Sequence, residues 1–145
     1  MSRRTGGFTL IEIMVVILVM GLLITLVLTH GPAHSDTLSL RAASGDLVQS
    51  LRLARSEAIA DDRTIEFVAE PGHQRYGIAG TVKTLPPGVT LFAGAPNAGG
   101  IAFQPDGSAS AGVFWLQTAH LRQSVTVSWL TGQVTLGQVA MNDQN

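Results

Sequence analysis

Three rhythms of hydrophobic and polar positions follow one another along the chain. From Phe8 to Leu28 the positions are apolar almost throughout, 21 residues with one charge, Glu12, and no proline. Between Thr37 and Arg63 the apolar residues Leu40, Ala43, Leu47, Leu51, Ala54 and Ala58 recur at spacings of three and four, while Arg41, Gln49, Arg52, Arg55 and Glu57 fall mostly off that line. From Thr64 onward, short β-rich runs ("TIEFVAE", "RYGIAG", "VTLFAG", "GIAFQ", "GVFWLQT", "SVTVSWL", "QVTLGQV") alternate with turn residues.

Each rhythm predicts an element. At about 1.5 Å per residue, the first run makes a helix roughly 30 Å long, enough to cross the hydrocarbon layer of a membrane. Gly31 and Pro32 should kink or break it. The second rhythm is an amphipathic helix that starts near a capping Asp36 or Thr37 and contains one weak point, Gly45. Its apolar stripe needs a sheet to cover it. In the third region Val125, Val127 and Trp129 should face one way and Thr126, Ser128 and Leu130 the other, with Thr131-Gly132 as a tight hairpin turn. The expected fold is α+β, a long N-terminal helix packed through its amphipathic half on an antiparallel β-sheet domain. The expected divisions are 1–7, 8–30, 31–63 and 64–145.

Composition sharpens this. Apolar residues make up 46% of the chain and charged ones 13%, and the excess is stored in the first run. Arg3 and Arg4 precede that run and no Lys or Arg follows until Arg41. The positive-inside rule therefore keeps the N-terminus cytoplasmic and sends the remainder across. The absence of cysteine excludes disulfides and thiol chemistry. A formal net charge of −1, with no Lys or Arg after Arg122, argues against a nucleic-acid partner.

The first run is too long for an ordinary secretory signal peptide, and "THGPAHS" is a poor cleavage site. A plain signal anchor fits its length, but not Glu12. A carboxylate at the centre of a lone membrane helix costs about 2.5–3.5 kcal/mol. Glu12 lies only about 6 Å beyond Phe8 along the axis, where the positive end of the helix dipole helps. A neutral residue would still insert better, so this acid asks for a partner.

"RRTGGFTLIEIMVVILVMGLL" resembles the class III signal of type IV pilins and type II secretion pseudopilins. It has a short basic leader with Arg3 and Arg4, Gly7 before the cut, Phe8 after it, and Glu12 as the fifth mature residue. The resemblance implies cleavage between Gly7 and Phe8 by a membrane-embedded aspartyl prepilin peptidase and N-methylation of Phe8. It also implies pairing of Glu12 with the Phe8 amine of a neighbouring subunit, which sets register because each charge is costly alone. Loss of the leader takes the formal side-chain charge from −1 to −3.

"LVQSLRLARSEAIADDRTIEF" resembles the helix-to-strand passage of the minor pseudopilin H family and of H-like minor type IV pilins, through Leu51, Ala54, Arg55, Ser56, Glu57, Ala58 and Ile59. Phe103, Pro105 and Gly107 match an F-x-P-x-G turn of that group, and Thr131 to Val134 its final hairpin. The implied protein is a minor pseudopilin of the type II secretion pseudopilus, at its tip or initiation region. Its implied partners are other pseudopilins in a hetero-oligomeric filament, the prepilin peptidase, the inner-membrane secretion platform and the lipid bilayer. Its implied place is the bacterial inner membrane, single-pass, with the globular domain in the periplasm. The alternatives are a minor type IV pilin that primes pilus assembly and, from another class, a tethered periplasmic binding or enzymatic domain.

Enzyme chemistry finds little support. There is no G-x-S-x-G, H-E-x-x-H, G-x-G-x-x-G or P-loop. His30 and His34, with Asp36 nearby, have a metal-like spacing that Gly31 and Pro32 interrupt; His73 and His120 stand apart. Ser56 and Glu57 lack a neighbouring base. Phe103, Phe114, Trp115 and Trp129 read as core or subunit contacts, and Arg55 and Glu57 as the solvated flank of a helix. No cofactor, metal or catalytic residue is expected.

Overall fold

The computed structural model describes residues 9–29, 36–94 and 99–142, with side chains described in the first segment up to residue 25. It divides into two compact units, Met1–His34 and Ser35–Asn145.

The first unit contains helix α1, Leu10–Thr29. Its first turn closes on Thr9, whose carbonyl accepts from the backbone N–H of Glu12 and Ile13 at 3.0 and 3.3 Å. Every described side chain of α1 is exposed within the chain. Among the described residues no helix is long and apolar enough to cross a membrane. The helical backbone itself continues to Thr29.

The second unit opens with α2, Asp36–Ala60. All six residues of the predicted stripe are buried, joined by Val48 and Ser44. The helix ends without glycine. Asp62 takes a left-handed φ of 50°, and the Arg63 N–H reaches back to the Ala58 carbonyl at 3.2 Å. That is the Schellman arrangement with aspartate in the usual glycine place.

The strands are β1 (Ile65–Glu70), β2 (Arg75–Ile78), β3 (Thr81–Thr84), β4 (Thr90–Ala93), β5 (Gly100–Phe103), β6 (Gly112–Gln117), β7 (Leu121–Val127), β8 (Val134–Leu136) and β9 (Ala140–Met141). They form two antiparallel sheets, β3-β2-β1-β5 and β4-β6-β7-β8, with β9 also paired to β7. Alternation decides which side chains face in: Ile65, Phe67 and Ala69 are buried while Glu66, Val68 and Glu70 are not. Helix α2 covers both sheets, packing on β1, β2 and β5 of one and β6, β7 and β8 of the other. Beneath it Phe67 meets Phe114 edge-on, ring centres 6.0 Å apart, and joins the two sheets into one core. Each fully buried Leu of α2 contributes about 1.5–3 kcal/mol to that union. The expected α+β arrangement is the one observed.

The structure departs from expectation at the C-terminal hairpin. β7 starts at Leu121 and stops at Val127, so Trp129 does not continue the inward row of Val125 and Val127. It is 65% exposed. The chain leaves the sheet at Ser128, because the Gly132 N–H bonds the Ser128 carbonyl at 2.9 Å and the Ser128 N–H bonds the Gln133 carbonyl at 3.0 Å. The connection therefore spans residues 128–133 rather than two residues. β3 and β9 were not anticipated either.

Candidate functional site

Two features stand out. The first is Glu12, in the opening turn of α1 and the only charged residue of that helix. Its side chain is exposed, and among the described residues it has no ion-pair partner. Arg3, Arg4, Gly7 and Phe8 lie outside the described residues, as do His30 and His34.

The second feature gathers three sequence motifs at one place. Arg55, near the end of α2, donates from Nε to the Gly107 carbonyl at 3.0 Å. Gly107 closes the Pro105-Asp106-Gly107 turn at φ +84°, and Gly132 of the β7–β8 loop has φ +61°. A Cβ at Gly107 would come within 3.0 Å of the Arg55 guanidinium. One at Gly132 would run into the Gly107 carbonyl and lie 2.8 Å from Arg55 Nε. Both glycines are required twice over, by backbone conformation and by the space the guanidinium fills. Arg55 thus clasps helix α2 to two turns and is half-buried, not a solvated flank.

The Asp106 carboxylate beside this clasp is turned onto its own loop. It accepts from Ser108 Oγ at 2.6 Å and from the Ser108 N–H at 2.9 Å. These bonds hold its carboxyl below the usual carboxylate range. In the core, burial, with a smaller push from the charge of Asp46, drives the Tyr76 phenol up to about 12.

The aromatic residues divide. Phe103 and Phe114 are core. Trp115 is 40% exposed and faces Phe92, 47% exposed, directly across the β4–β6 pair. The Arg122 guanidinium lies over the Trp115 ring at 5.7 Å from its centre. This pair escaped the sequence reading, although strict alternation in "GVFWLQT" places Trp115 opposite Phe114 in facing. His73 approaches Glu70 at 3.6 Å, and His120 sits at the turn entering β7. Among the described residues no cluster of three or more His, Cys, Asp or Glu could hold a metal.

Comparison with known proteins places this geometry. Residues 43–132 match the family model described as type II transport protein GspH, a span that contains Arg55, Gly107 and Gly132. The chain belongs to the GspH family. Residues 2–28 match the prokaryotic N-terminal methylation motif, which covers Arg3, Arg4, Gly7, Phe8 and Glu12. Type II secretion system protein H of Xanthomonas campestris pv. campestris is 31% identical over 146 residues, covering 93% of this chain and 85% of that protein.

Among solved structures, the fold is similar to the minor pseudopilin EpsH from the Type 2 Secretion System of Vibrio cholerae. That match has a TM-score of 0.56 and 16% identity over 68% of this chain and 95% of that one. The type IV minor pilin FimU of Pseudomonas aeruginosa is similar at a TM-score of 0.53 and 18% identity, over 68% of this chain and 93% of that one. As a GspH-family protein the chain is a minor pseudopilin of type II secretion, a membrane-anchored structural subunit that associates with other pseudopilins.

Proposed function

We propose that this GspH-family chain enters the inner membrane as a single-pass precursor, with residues 1–7 in the cytoplasm and its sheets in the periplasm. Prepilin peptidase cuts between Gly7 and Phe8, and the new Phe8 amine is methylated. The apolar helix then packs among the helices of other pseudopilins. The subunit takes its place at the tip or initiation region of a short periplasmic filament, which the inner-membrane platform extends to drive proteins across the outer membrane.

One observation carries this reading. Glu12 is the only charge in α1, it stands in the first turn, and no described residue of its own chain answers it. A carboxylate facing lipid is unfavourable unless paired. The Phe8 amine of a neighbour supplies a counter-charge at one stagger only, so the pair selects register as well as offsetting two desolvation penalties. The second reading, a minor pilin that primes a type IV pilus, is favoured only by likeness of fold to FimU. The match along the sequence is to a type II secretion protein.

The test is Glu12→Ala and Glu12→Leu in cells that carry the whole secretion apparatus, scoring leader removal separately from filament incorporation. Processing is expected to proceed in both variants while incorporation drops at least about tenfold, and mass spectrometry of the wild-type product should find an N-methylated phenylalanine. Unchanged incorporation would remove Glu12 from assembly. An intact leader in a host that has the peptidase would remove the family mechanism.

A further inference from the structure

Beside the Arg55 clasp lies an open cleft of about 530 Å³ lined by Arg52, Arg55, Ser56, Ile59 and the loop from Thr131 to Val134. Two cations three residues apart on one helix face repel each other. No acid lines this cleft to offset that repulsion. Among the described residues neither arginine has an ion-pair partner. Asp106, the acid of the adjoining turn, is held by Ser108. Glu57 lines a different hollow, with Arg63 and Thr64. The one bond Arg55 makes to another described residue uses Nε, which fixes the guanidinium plane and leaves its other N–H groups for an incoming acceptor.

We propose that this cleft receives a carboxylate side chain from a neighbouring pseudopilin, with Arg55 as the fixed fork and the exposed Arg52 as the second cation. Guanidinium forks match carboxylates in shape and charge. The neutral polar rim of Ser56, Thr131 and Gln133 suits the backbone that carries the acid. A nucleic acid is the poorer occupant, because two cations on a chain of net charge −1 neutralise few phosphates. The inference rests on the chain being a filament subunit, and it adds a second charged contact far along the sequence from Glu12.

The experiment places a photo-crosslinking benzophenone residue at Ser56 of the full-length chain, in cells with the complete secretion apparatus. A parallel probe at Val16 in α1 reports assembly alone. The Ser56 probe is expected to capture another pseudopilin through a peptide containing Asp or Glu. Arg52→Glu should cut that yield more than about tenfold and Arg52→Lys should preserve it. Reversing the captured acid to Arg in the Arg52→Glu background should restore it. Arg52 is the residue varied because Arg55 also holds the fold. An unchanged yield in Arg52→Glu, a captured peptide without an acid, or a nucleic-acid adduct overturns the proposal while the Val16 crosslinks persist. Loss of the Val16 crosslinks in the otherwise unaltered chain overturns the filament reading itself, and this one with it.

Discussion

The two helices of this chain use apolar surface in opposite ways. Helix α2 keeps its charged positions out of the core and buries every residue of its stripe against two sheets. Helix α1 is apolar on all sides and buries none of its described side chains within the chain. The first pattern is the economy of a folded domain, in which the chain covers its own apolar surface. The second leaves that task to lipid or to other subunits. Leu and Val therefore stabilise the fold in one helix and stay available for contacts outside the chain in the other. What separates the two roles is where the apolar residues lie, all round α1 and along one stripe of α2.

That contrast can be broken by measurement. The largest effect is expected from Leu51→Ala, which empties a fully buried site under both sheets. It should lower the stability of the sheet unit by about 2–5 kcal/mol, while Leu18→Ala in α1 changes it by less than about 0.5 kcal/mol. Thermal unfolding of the full chain in detergent, followed by near-ultraviolet circular dichroism, compares the two. Equal losses would mean that α1 is part of the same cooperative core.

A smaller effect tests the clasp. Gly132→Ala forces a side chain into a left-handed backbone and against both the Gly107 carbonyl and Arg55. It should cost about 2–3 kcal/mol in the same unfolding assay, with no change in leader processing. Gly21→Ala in α1, where nothing lies within 4 Å of the new methyl group, should cost nothing.

The smallest effect is a pH dependence. Tyr76 ionises near 12 in the folded chain against 10.0 for a free phenol. Because its folded value is raised, its contribution is fully present below pH 10 and is lost as pH rises from 10 toward 12. At pH 11 the loss is about 1 kcal/mol relative to neutral pH. Tyr76→Phe should remove that part of the alkaline slope. Since the chain has a single tyrosine, its phenolate absorbance reports the folded ionisation directly, and titration near pH 10 would contradict the burial.

Much of the fold was legible because its determinants are local. The Leu40-to-Ala58 stripe is a period of three and four, and the alternation in "TIEFVAE" is a period of two; each can be read within a dozen residues. β3 was not legible because all four of its residues are exposed and no alternation marks it. β9 is two residues long. Gln123, in the unexpected start of β7, is buried because its Nε2 donates to the Gly137 carbonyl at 2.8 Å, a contact that periodicity does not encode.

The Arg55–Gly107 bond links positions 52 residues apart. No single stretch announces it, although the helix-to-strand passage, the F-x-P-x-G turn and the final hairpin were each singled out separately. Glu12 was legible for the contrary reason, as one residue that violates the rule of everything around it. Strand order, which depends on pairings such as β1 with β5 across the intervening residues 71–99, came only from the fold.

A cylinder that is greasy all the way round has no front. Nothing in the apolar surface of α1 tells it which way to turn about its own axis when it meets its neighbours. Glu12 is the one charge on that surface, so under the proposed pairing a single carboxylate would set the azimuth of the whole helix.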